Sequence, residues 1–173
     1  MTLRALDLLS NSLRLRFISS KLSDGGYMGL FDFLKSAGDK LWDPAAATKD
    51  DKEKKLKEHL DSLGIKGADQ VNVNVDDNGK VTVSGEGIVA DMKNKILVAL
   101  GNVAGVEKVE DHIAGGSVDV QHYTVVAGDT LSAIAKKVYG DANLYQQIFE
   151  ANKPMLKDPN KIYPGQVLII PKR

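Results

Sequence analysis

The chain has 173 residues, enough for one to three small domains. Charged residues make up 27% and hydrophobic ones 43%, the balance of a soluble globular protein, and 23 basic side chains match 23 acidic ones. That neutrality argues against nucleic acid or an anionic membrane as a partner; the lack of cysteine excludes disulfides and thiolate metal sites and suits a cytoplasmic home.

No apolar run approaches the length of a membrane span. Between Met1 and Gly26 the apolar residues Leu3, Leu6, Leu8, Leu9, Leu13, Leu15, Phe17 and Ile18 are interrupted by Arg4, Asp7, Arg14 and Arg16. A cleavable signal peptide needs an unbroken apolar centre and a small-residue cleavage site, and this stretch has neither. Asp24-Gly25-Gly26 can be encoded by a string containing GGAGG, a bacterial ribosome-binding sequence, just before Met28. Residues 1–27 are therefore expected to be either a disordered leader or a mis-assigned start.

From Met28 the elements follow in order. Leu30, Leu34, Ala37 and Leu41 predict a short amphipathic helix over Gly29 to Trp42, weakened by Gly38 and ended by Pro44. Thr48 to Asp51 is an N-cap cluster for a second helix bearing Leu56, Leu60 and Leu63 and stopping at Gly64. The period then drops to two. Val71, Val73 and Val75 face Val81 and Val83 across Asn78-Gly79, which predicts a β-hairpin. Val89, Met92, Ile96 and Leu100 return to helical spacing, with Gly101 expected at C′. A short strand is expected over Val106 to Ile113, then the linker Ala114-Gly115-Gly116-Ser117, taken to run over 114–121. Beyond it come a strand at Tyr123 to Val126, a helix with Leu131, Ile134, Ala135 and Val138, a second with Leu144, Ile148 and Phe149, and a strand at Val167 to Ile170.

Two segments carry family resemblances. The helix–strand–strand–helix–strand order, with Val81-Thr82-Val83-Ser84-Gly85-Glu86-Gly87, Ile96-Leu97-Val98-Ala99-Leu100-Gly101-Asn102 and Val103-Ala104-Gly105-Val106-Glu107-Lys108-Val109, is similar to a BON domain. Tyr123-Thr124-Val125-Val126-Ala127-Gly128-Asp129-Thr130-Leu131 with Ile162-Tyr163-Pro164-Gly165-Gln166-Val167-Leu168-Ile169-Ile170-Pro171 resembles a LysM module, best known for holding N-acetylated glycans. Together with Met28-Gly29-Leu30-Phe31-Asp32-Phe33 and Lys40-Leu41-Trp42-Asp43, they make the text from Met28 onward resemble the family of bacterial cytoplasmic potassium-binding proteins. The expected fold is α+β in two small domains: a short helix plus BON (αββαβ) over 28–113, and LysM (βααβ) over 122–173.

The residues argue against an enzyme. His59, His112 and His122 are scattered without metal-ligand spacing, His59 on the polar side of a Lys/Glu-rich helix where solvation is expected. No Ser or Thr stands in a nucleophile elbow. Gly85-Glu86-Gly87 lacks the spacing and the following Lys-Ser/Thr of a phosphate loop. Asp76-Asp77-Asn78-Gly79 lacks the closing Glu of an EF-hand, since the twelfth position from Asp76 is Gly87.

A potassium site is nearly invisible in side chains. K⁺ is selected by several neutral carbonyl oxygens that replace its water shell, whereas carboxylates favour Mg²⁺ and Ca²⁺. Helix ends leave carbonyls unpaired at the negative end of the dipole, and Leu100 to Val106 is such an end running through two glycines. The competing reading is that Gly101 and Gly105 only make a tight turn. The resemblance to the potassium-binding family implies the main-chain carbonyls of Leu34, Ala37 and Asp39 with those of Gly101, Val103 and Val106. The LysM resemblance implies an alternative, a peptidoglycan or N-acetylglucosamine-oligomer groove at Gly128, Asp129, Thr130, Leu131, Asn152, Ile162 and Tyr163. Against it, Asp129 and Thr130 serve equally to cap a helix. The whole is expected to be a cytoplasmic monomer whose partner is K⁺, with a BON–LysM contact inside the chain and no membrane span.

Overall fold

A computed structural model of the chain describes residues 29–32, 37–43, 45–116 and 118–172. Residues 1–27 and Leu34 lie outside these, so the expectations for the leader and for the Leu34 carbonyl fall beyond the described residues.

Thr48 opens α1 (Lys49–Leu63) through a capping box: its hydroxyl accepts from the Asp51 N–H at 3.2 Å while the Asp51 carboxylate accepts from the Thr48 N–H at 3.1 Å. Leu56 and Leu60 form its buried stripe, and Gly64 ends it in the left-handed conformation. Strands β2 (Val71–Val75) and β3 (Lys80–Gly85) pair antiparallel with Val73 opposite Val83. Their loop closes as a turn: the Gly79 N–H donates to the Asp76 carbonyl, and Gly79 adopts φ +84°, the left-handed position that Asn-Gly signals.

Helix α2 (Ala90–Gly101) crosses over to β4 (Lys108–Ile113), which lies parallel to β3. A buried ion pair joins them. Lys93 Nζ sits 2.8 Å from Asp111 Oδ2 and donates to the Ile113 carbonyl at 2.9 Å, so the ammonium is both paired and hydrogen-bonded.

The expected helix over Gly29 to Trp42 is corrected at its start. Gly29–Asp32 is a strand, β1, which pairs antiparallel with β4 and gives a four-stranded sheet in the order β1-β4-β3-β2. Main-chain pairing along the free edge of β4 wins over a short helix that would be marginal alone. Residues 37–42 are also not helical, because Gly38 stands at φ +112°. Gly101 is corrected too: the helix runs through it and ends at Asn102.

The second module contains β5 (Gln121–Thr124), α3 (Leu131–Tyr139), α4 (Tyr145–Ala151) and β6 (Val167–Ile170), with β5 and β6 antiparallel. β5 begins two residues earlier than expected, because Gln121 pairs with Ile170 on β6, and it stops at Thr124, short of Val126, whose N–H donates to the Asp129 carboxylate. The described fold is thus α+β with an αββαβ unit followed by βααβ. Each has its own apolar core, and β6 serves both: Leu168 and Ile170 belong to the second, whereas Val167 belongs to the first.

Candidate ion site

Helix α2 ends in the middle of the first core. Val103 and Val106, just beyond it, are fully buried, which locks the backbone they belong to. Four carbonyls at such an end lack intrahelical partners. Here the Leu100 carbonyl accepts from the Val103 N–H at 3.4 Å and the Val103 carbonyl from the Val106 N–H at 3.1 Å. Among the described residues no turn or loop N–H donates to the carbonyls of Gly101, Val106 or Ala37.

The segment bearing Ala37 and Asp39 lies against this end. Asp39 and Val103 form a parallel bridge: the Asp39 N–H donates to the Asn102 carbonyl at 2.9 Å, and the Ala104 N–H donates to the Asp39 carbonyl at 2.9 Å. Gly38 makes the approach possible, because a Cβ there would stand 1.9 Å from the Asn102 carbonyl oxygen. Gly105, at φ +100°, lets Trp42 close over the turn, its Nε1 lying 3.1 Å from where a Cβ would be. Ala37 and Asp39 are thereby brought beside the Gly101–Val106 turn. Two of these carbonyls already accept a hydrogen bond, but each oxygen keeps a second lone pair. Neutral main-chain oxygens at the negative end of a helix dipole are the donor type that suits a large monovalent cation.

A cleft of about 460 Å³ opens next to this turn, between the two modules. His59 lines it, contrary to the solvated position expected, because α1 turns that side toward the LysM loops. Its Nε2 lies 3.9 Å from Asp39 Oδ2. Burial holds the His59 pKa below the usual histidine range, with Asp39 opposing. Tyr163 closes the other wall. Burial first, then Asp39, pushes its phenol up to about 12, so it stays a donor, 3.4 Å from the Asn102 carbonyl.

Several residues of the alternative groove serve the module's own fold. Leu131 and Asn152 are buried, and the Asn152 amide is consumed by the main chain of Ile148 and Ile169. Tyr163 faces the cleft, and Ile162 packs on the second core. Thr130 caps α3 through the Ala133 N–H, and Asp129 accepts from the Tyr123 hydroxyl at 2.8 Å. Gly128 remains exposed at φ +88°.

Sequence reasoning missed Asn102. Its side chain donates to the Val167 carbonyl at 2.9 Å and accepts from the Val167 N–H at 2.8 Å. The available signal was Val167 to Ile170 itself: an unbroken apolar run marks a strand covered on both faces.

The fold and the two cores define a protein that joins one BON domain to one LysM domain. The BON domain family model matches residues 48–116 and the LysM domain model residues 123–171. The potassium binding protein Kbp of Escherichia coli O6:H1 (strain CFT073) is 57% identical over 149 residues, which span 84% of this chain and 99% of that protein. The chain belongs to that protein's family. Two Mycobacterium tuberculosis proteins, Esterase Rv1288 and Esterase MT1326, are each 56% identical over 52 residues, 30% of this chain but 11% of theirs. The match to the esterases is therefore no longer than one small module.

Proposed function

We propose that this protein binds potassium ions, as a cytoplasmic sensor or buffer, through a cage of main-chain carbonyls at the end of α2. The bridge between Asp39 and Val103 carries the reading, because it sets the Ala37–Asp39 segment against the Gly101–Val106 turn. The choice of K⁺ draws on the name of the Escherichia coli relative. The carbonyls of Ala37, Asp39, Gly101, Val103 and Val106, with that of Leu34, would hold the ion. When bound it supplies positive charge that offsets the mutual repulsion of converging oxygens. The buried side chains of Val103 and Val106 hold their backbone in place, and Gly38 keeps the second segment close. No step is catalytic. The chain works as a monomer, with the LysM module packed on the BON module as its support. No described helix is long and apolar enough to cross a membrane.

Calorimetric titration of the cation-free protein tests this. K⁺ is expected to bind saturably and Rb⁺ to compete with it, while Na⁺, Mg²⁺ and Ca²⁺ compete poorly, because a neutral cage discriminates by size and field strength. Tight Mg²⁺ or Ca²⁺ binding with no K⁺ heat would overturn the reading.

A further inference from the structure

The outer edge of β6 is closed by two asparagine side chains. Asn152, from the same module, accepts the Ile169 N–H at 2.8 Å and donates to the Ile169 carbonyl at 2.8 Å. Asn102, from the other module, treats Val167 in the same way at 2.8 and 2.9 Å. Each amide imitates a missing neighbouring strand at one residue, and an edge of unpaired N–H and C=O groups is what such pairing removes. Asn152 makes this bond within its own domain, so it holds whatever the BON module does. Asn102 makes it across the boundary.

Asn102 is also the C-cap of α2, with φ −82° and ψ 20°. Its Cα is the corner shared by two rigid peptide planes. One plane carries the Gly101 carbonyl, a proposed ligand. The other carries the Asn102 carbonyl, which accepts from the Asp39 N–H at 2.9 Å and so holds the second ligand segment. A side chain pinned at both amide atoms fixes this corner, and with it the direction of the Gly101 carbonyl.

We infer that Asn102 is a positioning residue that couples the ion site to the docking of the LysM module, whose strand β6 it holds at Val167. The inference rests on the potassium reading above. The LysM module is then part of the frame of the ion site, and the coupling is reciprocal: docking raises affinity for the ion, and the ion tightens docking by the same factor.

The test uses the full chain with ionic strength held constant. Hydrogen exchange of the Val167 amide, which Asn102 covers, is expected to slow when K⁺ saturates the native protein. Ile169, held by Asn152, serves as the internal reference and responds less. Asn102→Ala is expected to weaken K⁺ binding about tenfold by calorimetry and to uncouple Val167 exchange from K⁺. Asn102→Asp keeps the shape and the acceptor but loses the donor; it provides a folded second variant, expected to fall in between. Wild-type affinity in both variants, or a native Val167 exchange rate indifferent to bound K⁺, overturns the coupling while leaving the potassium reading in place. Absence of K⁺ heat in the native protein overturns both.

Discussion

At Gly38 a hydrogen stands where any other residue would put a carbon 1.9 Å from the Asn102 carbonyl oxygen, at φ +112°. Gly38→Ala combines that clash with a backbone conformation costing on the order of 1–3 kcal/mol, and the segment must withdraw. K⁺ heat is expected to disappear while circular dichroism retains its helical signal. Gly64 is the matched control, left-handed at φ +64° with open space around it. Gly64→Ala is expected to cost about 1 kcal/mol of stability in urea titration and to leave K⁺ binding unchanged. His122 gives a pH signature. Burial in β5 lowers its pKa from 6.5 to about 4. The folded state resists protonation that the unfolded chain accepts, so this stability is complete above pH 6.5 and is lost as pH falls toward 4. Its size is roughly 3 kcal/mol. Urea titrations from pH 7 to 4 are expected to show this decline, and His122→Gln to flatten it; equal slopes in both proteins would contradict it. The residue scale is also where the sequence was least legible. Asn102 reads as one position in a turn, and its partner Val167 lies 65 residues away.

The elements of the αββαβ and βααβ units were legible because their apolar periods are clean. Val71 to Val75 alternates across a half-buried sheet, and Leu56 and Leu60 recur on one helix face. Gly29–Asp32 was not legible, since Leu30 and Leu34 suit a helix and only the open edge of β4 decides for a strand. The ion pair of α2 was hidden for a related reason. Lys93 reads as a polar position, yet it is 1% exposed because Asp111 on β4 receives it. Lys93→Met would strand the Asp111 carboxylate in the core and is expected to cost about 3–5 kcal/mol. The double change Lys93→Met with Asp111→Leu removes both charges and is expected to restore most of that loss in urea titration. Loss in the double variant equal to the sum of the two single ones would show that the pair is not coupled.

Across the whole molecule, two domains in order could be read from the sequence, and their mode of packing could not. The run Val167 to Ile170 held the clue that β6 is buried on both faces, but not the identity of the second face. Since every residue of the second core lies in the second module, a fragment of residues 122–173 is expected to fold alone and to show no K⁺-dependent shift in melting temperature. The full chain should gain about 2.7 kcal/mol at a hundredfold excess of K⁺ over its dissociation constant. A K⁺ response in the fragment would put the ion in the wrong module.

The position of the ion itself is the most direct test. Rb⁺ resembles K⁺ in size and scatters anomalously, so crystals grown with Rb⁺ in place of K⁺ locate it without reference to any assumed ligand. The anomalous peak is expected between the Ala37–Asp39 segment and the Gly101–Val106 turn, surrounded by main-chain oxygens. A peak held by carboxylates, or one within the LysM module, would contradict the carbonyl cage.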